Sequence, residues 1–241
     1  MRVTALLASV NNLHEAVIAL EAGVDIIDLK EPANGALGAV ADPLIRRIAG
    51  NIRGRVPLSA TTGDLPLEAE RIALAVEQKA ATGVDYVKVG LPEGGDLAGT
   101  LLRLHRIATQ GVRLVGVLFA DQGIDIGVLP KLSAAGFAGA MLDTAGKKAG
   151  GLRRHADDQV LNAFVRRCRS LGLLSGLAGS LDTADIAPLL KLSPDLLGFR
   201  GALCRSGLRT AALDPQALAA IRARIPRGEP AADQAPIQAM R

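Results

Sequence analysis

The stretch Leu13-His14-Glu15-Ala16-Val17-Ile18-Ala19-Leu20-Glu21-Ala22-Gly23-Val24-Asp25-Ile26-Ile27-Asp28-Leu29-Lys30 carries two periodicities in succession. Its first half places apolar residues three and four apart, the spacing of one helix face, with Asn12 as the N-cap and Gly23 as the stop. Its second half is a short, nearly continuous apolar run, the mark of a strand buried on both faces. The joint between them recurs. Thr82-Gly83-Val84-Asp85 and Ala135-Gly136-Phe137-Ala138 end a helix and restart a strand in the same way, with glycine supplying the left-handed turn.

Working outward, the same alternation covers almost the whole chain. Strands are expected at Thr4–Ser9, Ile26–Lys30, Pro57–Thr61, Tyr86–Gly90, Leu114–Phe119, Ala140–Asp143, Leu174–Ala178 and Leu196–Arg200. Helices are expected at Leu13–Gly23, Glu68–Thr82, Leu97–Gln110, Val128–Ala135, Asp157–Leu171, Thr183–Leu192 and Pro215–Arg224. Alternating elements of this kind imply a parallel sheet, and eight strand–helix units most simply close into an α/β TIM (β/α)8 barrel. The 241 residues match the roughly 250 of that fold. An open doubly wound sheet is the rival, but no GxGxxG follows the first strand. Residues 1–224 then form one catalytic domain. The Pro-, Ala- and Gln-rich segment 225–241 reads as a disordered tail.

Apolar residues make up 49 % of the chain and aromatics only 2 %, so the core is Leu, Ile, Val and Ala. Few aromatics and a modest charge of +4 weigh against nucleic acid as a partner. The pairs Arg46-Arg47, Arg153-Arg154 and Arg166-Arg167 fit solvated helix faces. No apolar run reaches the roughly 18 residues of a membrane span, and the N-terminus lacks a signal peptide's apolar region. Cys168 and Cys204 form no CxxC pair and no zinc-ligand spacing, which fits a reducing cytoplasm. His14, His105 and His155 read as surface residues. Neither a metal nor a cofactor has a recognisable site, and oligomeric state, a homo-oligomer included, stays open.

In a barrel the chemistry belongs at the C-terminal ends of the strands. Side-chain alternation turns Asp28 and Lys30 of strand two to the inside together, Lys88 of strand four likewise, and Asp143 of strand six with Lys147 after it. Inward side chains of alternate strands meet in one layer, so Asp28, Lys30, Lys88, Asp143 and Lys147 form one expected cluster. A lone lysine at a strand end is ordinarily a snorkelling surface charge. Three on alternate strands beside aspartates instead suggest carbonyl chemistry. Crowded cations and partial burial favour the neutral amine, the form that adds to a carbonyl. The aspartates position the lysines and move protons. After strands seven and eight, Gly179, Ser180, Arg200 and Gly201 resemble the phosphate cradle of many barrels, with Arg200 adding a charge-assisted contact. A small phosphorylated aldehyde or ketone is the economical substrate. Ser59-Ala60-Thr61-Thr62-Gly63-Asp64 and Asp121 also end strands, and Glu31–Val40 is long enough for a lid.

These motifs together resemble one family. Asp25-Ile26-Ile27-Asp28-Leu29-Lys30-Glu31-Pro32 with Asn34-Gly35-Ala36-Leu37-Gly38-Ala39, Ser59–Asp64, Asp85–Gly90, Met141–Ala145, Leu177–Ser180 and Gly198–Ala202 are similar to the (5-formylfuran-3-yl)methyl phosphate synthases of methanofuran biosynthesis, also called 4-(hydroxymethyl)-2-furancarboxaldehyde-phosphate synthases. The resemblance implies condensation of two glyceraldehyde 3-phosphate molecules to a furan aldehyde phosphate, with release of phosphate and water. It implies Lys30 as the Schiff-base lysine and Lys88 as the proton acceptor, with Asp28, Asp143 and Lys147 in support. Lys148 stands where the family has an acidic residue, and the segment after Asp121 is shorter than in archaeal members. Two rivals remain at this stage: a class I aldolase on another sugar phosphate, and a non-catalytic barrel that senses a phosphorylated metabolite.

Overall fold

The computed structural model describes residues 3–227 apart from 53 and 147–149. The strands β1 (Ala5–Val10), β2 (Ile26–Leu29), β3 (Leu58–Thr61), β4 (Tyr86–Leu91), β5 (Leu114–Phe119), β6 (Gly139–Asp143), β7 (Leu174–Leu177) and β8 (Leu196–Phe199) pair in chain order. β1 closes on β8 and every pairing is parallel, so the barrel inferred from the alternation is present. Around it run α1 (Leu13–Glu21), α2 (Asp42–Ile52), α3 (Ala69–Ala80), α4 (Leu97–Ala108), α5 (Leu129–Ala134), α6 (Leu152–His155), α7 (Asp158–Ser170), α8 (Thr183–Lys191) and α9 (Pro215–Arg222).

Local chemistry sets these boundaries. The side chain of Asn12 accepts a hydrogen bond from Glu15 N at 2.9 Å and opens α1. Asp157, Asp182 and Asp214 do the same work for α7, α8 and α9. At the helix-to-strand joints Gly23, Gly83 and Gly136 hold φ of 70°, 90° and 80°, which a side chain would resist. The aspartate after the joint has a second task. Asp25 accepts from Leu6 N at 2.7 Å and Asp85 from Leu58 N at 2.8 Å, so each ties the start of its strand to the preceding one. Asp195 repeats the contact on Ser175 N at 2.8 Å.

Two elements depart from the sequence reading. α2 went unpredicted, although Ile45, Ile48, Ala49 and Ile52 form its buried face. The polar loop before it and Pro43 disguised its start, where proline costs no intrahelical bond. α6 is a single turn, too short to leave a periodic signal. Lys30 and Arg200 lie one residue past their strands. Ile225, assigned by sequence to the tail, is buried against the main core, and residues 228–241 lie outside the described residues. The three arginine pairs are exposed on helices, as expected. Among the described residues no helix is long and apolar enough to cross a membrane.

The core has two parts. The larger fills the seams between helices and barrel, with Leu6, Ile27, Leu58, Ile72, Leu104 and Phe164 fully or almost fully buried. A smaller one caps the C-terminal mouth, where Ala36 and Leu37 join Val115, Val117, Phe119, Met141 and Ala178. That second cluster brings the β2–α2 loop onto the barrel.

Candidate active site

Strand register builds the centre of the mouth. Ser9 of β1 lies beside Asp28 of β2, which lies beside Ser59 of β3. Ser9 Oγ donates to Asp28 Oδ2 at 2.9 Å and Ser59 Oγ to Oδ1 at 2.6 Å. Lys88 reaches in from β4 and donates from Nζ to Asp28 Oδ2 at 2.8 Å. Asp28 is 0 % exposed, Lys88 3 % and Lys30 6 %. Burial alone pushes the Asp28 carboxyl upward. The charges of Lys88 and Lys30, with hydrogen bonds from Lys88 and Ser59, outweigh it and hold Asp28 below the ordinary carboxylate value.

Lys30 has a different partner from the one its position in sequence suggests. Its Nζ lies 3.5 Å from Asp143 Oδ2 across the mouth. Asp143 Oδ1 accepts from Thr144 N at 2.7 Å, which fixes the carboxylate. Among its described members, the expected cluster contains two crossed pairs, Asp28–Lys88 and Lys30–Asp143. The lysines also differ in access. Lys30 borders a cavity of about 380 Å³ that opens at the mouth, together with Ser180, Gly201 and Arg209. Lys88 does not border that cavity; it lines a void of about 30 Å³ that Lys30 also lines, and another of about 20 Å³. A larger cavity of about 590 Å³, beside Leu91, Glu93 and Asp125, touches neither lysine. Reactive groups outweigh volume here, so the smaller cavity is the candidate site. Lys147 lies outside the described residues. The loop leading to it is held by Asp121, which accepts from Ala145 N at 2.7 Å and Gly146 N at 2.6 Å.

At β7 and β8, Ser180 and Gly201 of the expected cradle line the same cavity as Lys30. Gly179 has φ 107°, and a Cβ there would lie 3.0 Å from Thr144 Cγ2 and 3.1 Å from Thr144 N. Ser180 follows with φ 49°, unusual for a residue with a side chain. This turn carries Ser180 to the cavity that Gly201 borders from the other side.

Arg200 departs from its expected role. Its Nε donates to Arg209 O at 2.8 Å, and Nη1 donates to Ser9 O at 3.1 Å and Glu15 Oε2 at 2.5 Å. Nη2 donates to Glu15 Oε1 at 3.4 Å and Ala211 O at 3.1 Å. One, two and two bonds use all five guanidinium N–H groups, so none remains for a phosphate. The buried Arg200–Glu15 pair instead ties β8 and the chain after it to α1, and Glu15 Oε1 also accepts from Leu213 N at 3.0 Å.

Among the described residues, Arg209 is a further cation bordering this cavity, and the sequence reading missed it. It lies in an irregular stretch with no periodicity, and the one clue was an arginine within ten residues of the last strand. Glu15 was missed because it reads as an ordinary first-turn acid of α1. Burial pushes the Arg209 guanidinium down from its ordinary value, while Asp143 and Asp64 act against the shift.

The loop 31–40 is folded over the mouth. Asp64 Oδ1 accepts from Leu37 N at 2.9 Å, Thr61 Oγ1 donates to Gly38 O at 3.1 Å, and Arg209 Nη2 donates to Pro32 O at 2.8 Å. Arg209 Nη2 also donates to Gly35 O. Leu37 sits so close over Gly90 that a Cβ there would lie 2.9 Å from Leu37 Cδ1. The remaining polar residues stay outside the site. His14 and His105 are exposed, while His155 is half-buried rather than on the surface. Cys168 and Cys204 are buried, and burial pushes the Cys168 thiol up to about 12. A thiol so placed is not a nucleophile.

A closed parallel barrel with buried lysine–aspartate pairs at its C-terminal mouth defines a TIM-barrel enzyme. Solved structures agree on the fold. 3-Hexulose-6-phosphate synthase superposes with a TM-score of 0.63 at 18 % identity, covering 92 % of this chain and 100 % of that one. Phosphoribosyl anthranilate isomerase from Thermotoga maritima gives 0.65 at 14 % identity, covering 92 % and 98 %. The chain belongs to the 4-HFC-P synthase family, whose model matches residues 6–222. A Methylorubrum extorquens protein named provisionally as (5-formylfuran-3-yl)methyl phosphate synthase is 45 % identical, over 90 % of this chain and 92 % of its own. The Methanococcus aeolicus (5-formylfuran-3-yl)methyl phosphate synthase is 36 % identical, over 85 % and 92 %.

Proposed function

We propose that the chain condenses two glyceraldehyde 3-phosphate molecules into 4-(hydroxymethyl)-2-furancarboxaldehyde phosphate, releasing phosphate and water, as a step of methanofuran biosynthesis. Family membership supports the product. The observation that carries the mechanism is the unequal access of the two lysines. Lys30 borders the open cavity and touches Asp143 only at 3.5 Å, so it is the amine that meets a substrate carbonyl and forms the imine. Lys88 is hydrogen-bonded to a carboxylate held ionised by its surroundings, so it serves in proton transfer from beneath. Asp143 orients Lys30 and exchanges protons with it. Lys147 keeps the supporting role that the family resemblance implies. The substrate phosphate lies near Gly179, Ser180 and Gly201.

The product carries one phosphate where the substrates carry two, which separates this reaction from a simple aldol addition. Incubation with glyceraldehyde 3-phosphate should release one inorganic phosphate per two molecules consumed. An ultraviolet band from the conjugated aldehyde should grow in step. Carbon–carbon bond formation without phosphate release would replace the synthase with an aldolase, and no reaction at all would leave a binding protein.

A further inference from the structure

We propose that Arg209 grips the substrate phosphate and, with the same side chain, holds the loop 31–40 shut, so that the mouth closes preferentially on phosphorylated ligands. The proposal rests on the phosphorylated-substrate reading above and adds the residue that recognises the phosphate.

Three observations carry it. Arg209 borders the cavity that also contains Lys30 and Ser180. Its Nη2 is used up by the carbonyls of Pro32 and Gly35 in the loop. Two of its five N–H groups are thereby committed, and those on Nε and Nη1 meet no protein acceptor among the described residues. A half-buried guanidinium with N–H groups to spare suits a phosphate, because its planar donors match the phosphate oxygens. Among the described residues, the other charged side chains at the cavity do not compete for this role. Arg200 has no N–H left, Lys30 faces Asp143, and Asp182 turns its carboxylate to Ala184 N at 2.7 Å in the α8 cap. The loop bears on Arg209 from one side and an anion would bear on it from the other. Occupancy by phosphate therefore orders the guanidinium that clasps the loop, and an unphosphorylated aldehyde leaves that clasp loose.

The test uses inorganic phosphate on the whole protein. Isothermal titration gives its affinity, and hydrogen exchange follows the amides of residues 33–37 with and without it. In the wild type phosphate should slow exchange there by tenfold or more. Arg209→Met should weaken phosphate binding at least tenfold and abolish the slowing. Arg209→Lys, which keeps a point charge without the fork, should bind phosphate within a few fold of wild type yet lose the slowing. Wild-type phosphate affinity in Arg209→Met, or exchange at 33–37 indifferent to phosphate in the wild type, overturns the proposal. Should Arg209→Met fail to fold, full slowing in Arg209→Lys overturns it instead. None of these readings needs turnover. A protein that binds phosphate through Arg209 but makes no furan keeps this inference and loses the synthase. One that makes furan with Arg209→Met at an unchanged KM does the reverse.

Discussion

Replacing Lys88 with methionine removes the ammonium and keeps most of the volume, so its effect isolates charge from packing. Asp28 would be left fully buried with Ser9, Ser59 and the more distant Lys30 as its support. Breaking one side of a buried ion pair costs about 3–5 kcal/mol, because the remaining charge keeps its desolvation penalty. For a domain of this size ~1 kcal/mol moves Tm by roughly 2–4 °C, so Lys88→Met should melt about 6–20 °C below the wild type. Asp28→Asn should cost a comparable amount by stranding the ammonium. The double variant removes both charges and should cost about 1–3 kcal/mol less than the two singles added. The pH dependence has a definite sign. Asp28 is depressed in the folded state, so it contributes stability above its unfolded value near about 4, lost as pH falls through the folded value. Without Lys88 the burial penalty is less opposed, so the gap between variant and wild type should widen from pH 4 to pH 7. Thermal melts followed by circular dichroism across that range would check both points. Additivity of the two substitutions within about 0.5 kcal/mol, or a gap that does not depend on pH, would refute the coupling.

Other perturbations test the parts around this centre. Gly90→Val places a side chain against Leu37 and Phe119, so it should raise KM for triose phosphate severalfold and cost about 1–3 kcal/mol of stability; an unchanged KM would mean the loop does not bear on binding. Glu15→Gln leaves the buried Arg200 charge unmatched and should destabilise the fold by about 3–5 kcal/mol in a denaturant titration, whereas a surface pair would cost under about 1. Asp121→Ala frees Ala145 N and Gly146 N, so amide exchange at those two positions should accelerate and turnover should fall while Tm moves by only a few degrees. Wild-type exchange there would show that the loop before Lys147 is held by something else.

The barrel was legible because its signals are local and repeated. Each Gly-Val-Asp joint shows its turn in the glycine and its strand in the apolar run that follows. The inward set Asp28, Lys88 and Asp143 was legible for a similar reason, since alternation within a strand decides which way a side chain points. Partner choice was not legible. Asp28 neighbours Lys30 in sequence, yet its carboxylate meets Lys88 across β3, because a strand's inward residues meet those of other strands more readily than each other. Arg200 was misjudged for a related reason. An arginine at a strand end looks free in sequence, and only the fold brings Glu15, Ser9 O and Ala211 O around it. Arg209 and the docking of Leu37 depend on loops whose course no periodicity records. The family resemblance reached the motifs that carry the lysines and aspartates, and Leu37 and Arg200 with them, but none of its motifs contains Glu15 or Arg209.

The central claim is that Lys30 forms the covalent bond to substrate, and borohydride trapping tests it most directly. Reduction in the presence of glyceraldehyde 3-phosphate, followed by proteolysis and mass spectrometry, should place one substrate-derived mass on the peptide that contains Lys30. The adduct should disappear in Lys30→Ala and persist in Lys88→Ala, which should have lost turnover. An adduct carried by Lys88, or one that survives in Lys30→Ala, would contradict the account.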